Sequence, residues 1–125
     1  MKEYDSFIAV DDLHVRGALT LGENTADNGG LRIALMALLA SMAADPRVPA
    51  KIDGYSPEQR AFLGWGQIWC ENQTPEFARL LANVNEHSPG RYRVNGVVSN
   101  MPEFREAFHC KPGQPMVREN ACRVW

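Results

Sequence analysis

The stretch Leu19–Leu31, LTLGENTADNGGL, carries two carboxylates four residues apart, Glu23 and Asp27. On a helix that spacing puts both on one face, one turn from each other. Two like charges so close repel, and burying both without a cation is costly. A bound cation would offset the cost, one carboxylate serving as ligand and the other orienting a neighbouring ligand. The competing reading is a solvated helix start, because Asp and Glu are common in first turns. Gly22 permits a tight entry to the pair. Gly29 and Gly30 behind it each cost about 1 kcal/mol relative to Ala inside a helix, which points to another backbone packing close. His87 and Arg93 stand on either side of a Pro89-Gly90 turn, so one loop can present both. His14 is a further candidate ligand, although a lone histidine is more often structural.

The elements that must position these groups read mainly as helices. The longest helix is expected from Asn24 or Thr25 to Ala44, with Leu31, Leu35, Leu38, Leu39 and Met42 at helical spacing. Ile33 and Met36 widen its apolar face, which predicts a helix buried on most sides. Asp45-Pro46 ends it, and residues 46–55 read as a surface connection. Ser56-Pro57-Glu58-Gln59 is a capping box with proline at the first helical position. It predicts a helix to about Glu71 carrying Phe62, Trp65, Ile68 and Trp69, with Gly64 and Gly66 again hinting at close packing. Thr74-Pro75-Glu76 starts a short helix to about Val84, with Phe77, Leu80 and Leu81 facing inward. Residues 85–99 read as irregular to extended. Asn100 is expected to cap a last helix, with Glu103 as its partner and Phe104 and Phe108 one turn apart. Near the start, Phe7–Val10 is a short apolar run, either a strand or a helix turn. His14–Leu21 reads as extended. The terminal CRVW reads as docked. The sum is a mainly α chain: a compact bundle of about four helices with short extended segments.

Composition fits one modest domain. The chain has 125 residues, 45% hydrophobic and 22% charged, with a net charge of −2. Without a basic cluster, nucleic acid is not an expected partner. The apolar stretch Ile33–Ala44 is too short to span a bilayer, and Met1–Ser6 is not a secretory start. Cys70, Cys110 and Cys122 make an odd count with no CxxC. That argues against a self-contained zinc knuckle and leaves either one disulfide or buried free thiols.

Taken together, LTLGENTADNGGL, WGQIWCENQTPEFAR, HSPGRYRVNG, NMPEFREAFHC and the terminal CRVW resemble the C-terminal end of the neprilysin family of zinc metalloendopeptidases. The resemblance covers roughly Leu13 to Trp125. It implies the C-terminal part of a neprilysin-like (gluzincin) catalytic domain, with zinc as cofactor and a peptide as substrate. By that resemblance Glu23 is the third zinc ligand and Asp27 the carboxylate that orients a ligating histidine. His87 is the oxyanion donor and Arg93 the group that binds a substrate carbonyl. Ile68 and Trp69 line a pocket for a bulky apolar side chain. Plain core packing is the competing reading of Ile68 and Trp69. The family cysteines at these three positions pair with cysteines upstream.

One departure is large. No histidine here begins an HExxH: His14 precedes Val15, His87 precedes Ser88 and His109 precedes Cys110. A catalytic zinc takes three protein ligands and one open position, so Glu23 alone cannot hold it. The chain is therefore expected to be the last piece of a longer extracytoplasmic enzyme, inactive alone, with the missing N-terminal part as its partner. The alternative is a non-catalytic helical module that self-associates through exposed apolar faces.

Overall fold

The computed structural model describes residues 1–45 and 47–125. Among these residues there are six helices and one small hairpin. The order is α1 (Lys2–Asp5), β1 (Ile8–Val10), β2 (Leu13–His14), α2 (Leu21–Ala44), α3 (Pro57–Ile68), α4 (Pro75–Val84), α5 (Gly90–Val98) and α6 (Pro102–Ala107). The class is mainly α with short extended segments, as the sequence predicts, with α1 and α5 as additional helices.

The hairpin is antiparallel, pairing Ile8 with His14 and Val10 with Leu13. Strand structure stops at His14, and the segment expected to be extended as far as Leu21 turns at Gly17–Thr20. The core joins Leu31 and Leu35 of α2, Phe62 of α3, Val97 and Val98 of α5, and Met101. Phe62 meets Phe104 edge-on with centroids 5.3 Å apart, and Phe104 and Phe108 lie 4.9 Å apart across one turn of chain.

Local rules explain the helix starts that the sequence announces. Ser56 Oγ accepts from Gln59 N at 3.2 Å, and Gln59 Oε1 accepts from Ser56 N at 2.9 Å, closing the capping box. Thr74 Oγ1 accepts from Phe77 N at 3.3 Å. Asp45 is the C-cap of α2 in extended conformation; the Pro46 half of the expected stop lies outside the described residues.

Five expectations need correction. The segment read as irregular at 85–99 contains α5. Its Gly and β-branched residues are poor helix formers, yet tertiary burial of Gly96, Val97 and Val98 overrides propensity. Asn100 does not cap α6. Its Nδ2 donates to Gly96 O at 2.7 Å and to Glu3 at 2.8 Å, while Oδ1 accepts from Cys122 N at 2.7 Å. The long helix is not buried on most sides, because Ile33 is 57% and Met36 55% exposed. Among the described residues, its main helix neighbours are α5 and α3. Phe77 and Leu80 also face outward, while Leu81 is half-buried. The glycines are not packing sites as a set: Gly30 and Gly64 have nothing near, and Gly66 makes only ordinary contact. Gly29 does meet a neighbour, but it is the ring of Trp125, not a backbone. The C-terminus is thus held by Cys122 and by that ring contact, although Trp125 is largely exposed.

Candidate functional site

Glu23 lies in the first turn of α2 and Asp27 one turn on. Five residues separate His87, on the loop before α5, from Arg93, the fourth residue of that helix. Packing of α5 across α2 brings all four side chains into one network. Arg93 Nε and Nη2 donate to Asp27 Oδ2 and Oδ1 at 2.5 and 2.7 Å, a two-pronged pair. Nη2 also donates to Glu23 Oε2 at 3.0 Å. His87 Nε2 stands 3.2 Å from the same Glu23 oxygen. The guanidinium carbon lies 3.9 Å over the centre of the Trp69 ring, and Trp65 Nε1 donates to the Arg93 carbonyl at 3.0 Å.

Burial grades the network. Arg93 and Asp27 are 6% and 7% exposed, whereas Glu23 and His87 sit at the opening, partly in solvent. Burial alone would weaken the charge on Arg93. The hydrogen bonds and charge of Asp27, then those of Glu23, outweigh it, so the guanidinium is held above its ordinary pKa. Asp27 is therefore a buried counter-ion for Arg93 and not a second solvated charge beside Glu23.

The loop bearing His87 is tied down by residues that spacing did not single out. Asn85 Oδ1 accepts from the His87 backbone N–H at 3.1 Å and meets His87 Nδ1 at 2.9 Å. The backbone N–H can only donate, so the facing atom is the amide oxygen; Nδ1 therefore carries a proton toward it, and Nε2 is turned toward Glu23. Ser88 Oγ donates to Asn24 Oδ1 at 2.8 Å, and Asn24 Nδ2 to Thr20 Oγ1 at 2.8 Å, which anchors the loop to α2. Glu71 Oε1 accepts from Gly90 N at 2.7 Å, placing a carboxylate at the N-terminus of α5. An ideal Cβ at Gly90 would come within 2.6 Å of the Trp69 carbonyl, so only glycine lets the helix start there. The available signals were Asn85 two residues before a histidine, an Asx-turn position, and Asn24 beside Glu23.

His87 and Arg93 open onto a cleft of about 430 Å³, whose apolar wall includes Trp69, Ala78, Leu81 and Ala82. Ile68 does not line it and is 69% exposed. It is the last residue of α3. His14 is exposed, with Nδ1 2.9 Å from the Asp5 carbonyl, and takes no part. Among the described residues, no three His, Cys, Asp or Glu side chains converge to hold a metal ion. The donor set here amounts to Glu23 with His87 against it, both Asp27 oxygens being committed to Arg93. Alone it does not fit a catalytic zinc. All three cysteines are free.

Residues 1–124 match the model of peptidase family M13. The chain belongs to peptidase family M13. Membrane metallo-endopeptidase-like 1 of Mus musculus is 43% identical over 96% of this M13 chain, and Neprilysin-1 of Caenorhabditis elegans 42% identical over 91%. The M13 chain spans only 16% of the length of each. The solved structure of the Mycobacterium tuberculosis zinc metalloprotease Zmp1 in complex with inhibitor superposes with a TM-score of 0.86 at 37% identity, covering 99% of this chain and 20% of that one. The mainly α arrangement is thus the M13 fold.

Proposed function

We propose that this chain forms one wall of the active site of a zinc-dependent endopeptidase that cleaves oligopeptides. The observation that carries the reading is the convergence of Glu23, Asp27, His87 and Arg93 into one ion network at the edge of a cleft. In the complete enzyme Glu23 supplies one zinc ligand, and the remaining ligands and the general base come from polypeptide outside these 125 residues. The metal, when bound, polarises the scissile carbonyl and activates water.

This chain's own residues do the holding. Asp27 and the Trp69 ring keep Arg93 in place, and among the described residues Nη1 has no hydrogen-bond partner, so its protons face a substrate carbonyl. Asn85 fixes the His87 ring by accepting from Nδ1–H, and the doubly protonated imidazolium, facing the Glu23 carboxylate, presents Nε2–H to the oxyanion of the tetrahedral intermediate. Trp69 and the apolar face of α4 offer a wall for a bulky hydrophobic side chain. The M13 relatives named above include a membrane metallo-endopeptidase-like protein, which supports an extracytoplasmic location; among the described residues no helix is long and apolar enough to cross a membrane.

The test is His87→Ala in the endopeptidase that carries this segment. We expect kcat to fall by about 10²–10³, the scale of one lost oxyanion donor. An unchanged kcat removes His87 from that role. The isolated chain should bind zinc weakly and hydrolyse no peptide; tight stoichiometric zinc with turnover would overturn the shared-site reading. A second reading, a self-associating helical module, is favoured by the outward Phe77, Leu80 and Val84 of α4, which are 49%, 56% and 67% exposed. A clean monomer by light scattering at high concentration would exclude it.

A further inference from the structure

Tyr4, on α1, has no part in the network above, yet it lies against the helix that carries Arg93. It is 7% exposed, and among the described residues its hydroxyl has no hydrogen-bond partner within the protein. An ideal Cβ at Gly96 would stand 2.7 Å from Tyr4 Oη, so the hydroxyl occupies the space that glycine leaves on α5. Gly96 is three residues beyond Arg93 and on the same side of the helix. A hydroxyl buried without a partner is destabilising, and folded chains seldom keep one.

A partner fits close by. Tyr4 lines a cavity of about 70 Å³ together with Asn24, Asn28 and Asn100, amides that are all buried. That is room for at least one water. Asn28 has spare capacity, its Nδ2 reaching the Cys122 carbonyl only at 3.4 Å. Burial first, then the charges of Glu3 and Asp27, push the Tyr4 phenol well above its ordinary value, so the hydroxyl stays a donor.

We propose that Tyr4 is a positioning residue: its hydroxyl donates to a water buried among Asn24, Asn28 and Asn100, and this bridge holds α1 against the crossing where Asp27 meets Arg93. The role concerns how α2 and α5 are set, and only its kinetic consequence rests on the endopeptidase reading.

Tyr4→Phe in this chain is expected to lower the thermal midpoint by about 3–6 °C. An unchanged or raised midpoint, the behaviour of a hydroxyl with no partner, overturns the proposal. A crystal structure of the unsubstituted chain decides the same point without a variant. Support is a water within hydrogen-bond distance of Tyr4 Oη and of one of the three amides; a dry cavity is refutation. In the endopeptidase carrying the segment, Tyr4→Phe should raise KM severalfold with kcat kept within about twofold, because Arg93 is less well placed. A fall in kcat at constant KM would overturn the link to Arg93. If the parent enzyme cleaves no peptide, the endopeptidase reading fails, while the water and the midpoint still judge Tyr4.

Discussion

Replacing Asp27 by Asn tests the centre of the network with almost no change of shape. Arg93 remains buried and charged, but its two-pronged partner becomes neutral, and the new amide N–H₂ faces guanidinium N–H groups. Removing one member of a buried ion pair costs about 3–5 kcal/mol when nothing else compensates. Here Glu23 still accepts from Arg93 at 3.0 Å and the Trp69 ring lies 3.9 Å beneath it. Glu23 is partly in solvent, so its attraction is screened. We therefore expect a loss of about 2–4 kcal/mol. With a urea slope of about 2 kcal/mol/M the unfolding midpoint falls by roughly 1–2 M. The assay is equilibrium urea unfolding followed by circular dichroism. The double variant Asp27→Leu with Arg93→Met should recover most of the loss, because a paired apolar replacement leaves no buried charge unmatched. A single-variant midpoint within about 0.3 M of the parent would refute the buried-counter-ion argument.

Local geometry gives three further predictions. Gly30→Ala meets nothing and lies on the exposed side of α2, so it should stabilise by up to ~1 kcal/mol in the same urea assay. Gly29→Ala gains the same propensity but displaces the Trp125 ring, whose Cζ3 lies 1.9 Å from an ideal Cβ. It should release the C-terminus to carboxypeptidase with little change in midpoint. The hydrogen bond from Ser56 Oγ, at 2.7 Å, holds the Glu58 carboxyl below its ordinary 4.5. A depressed folded-state pKa gives stability that is present above 4.5 and lost as pH falls through the folded value. Glu58→Gln should flatten that acid limb slightly, by a few tenths of a kcal/mol at this partly exposed site. An identical acid limb in both proteins would contradict the assignment.

The helix starts at Ser56 and Thr74 were legible because a capping side chain acts over three residues and needs no distant partner. The helix at Gly90–Val98 was not, because its residues favour it only once Gly96, Val97 and Val98 are buried. The same limit explains Asn100, which reads locally as a cap but is drawn instead to Glu3, ninety-seven residues away in sequence. The outward face of α2 shows the reverse case: apolar periodicity says which residues seek cover, not whether this chain supplies it.

The sequence by itself determined the mainly α class, the helix starts at Ser56 and Thr74, the neprilysin-family resemblance and the placing of Glu23 and Asp27 one turn apart. These rest on side-chain type and short spacing, which survive without tertiary contacts. Only the fold decided that Asp27 is neutralised by Arg93, that Glu23 is shared between Arg93 and His87, that Asn85 sets the ring and that Ile68 stays outside the cleft. Those partners lie far apart in the chain, and charge pairing in a buried site depends on distance and dielectric, which no local pattern encodes.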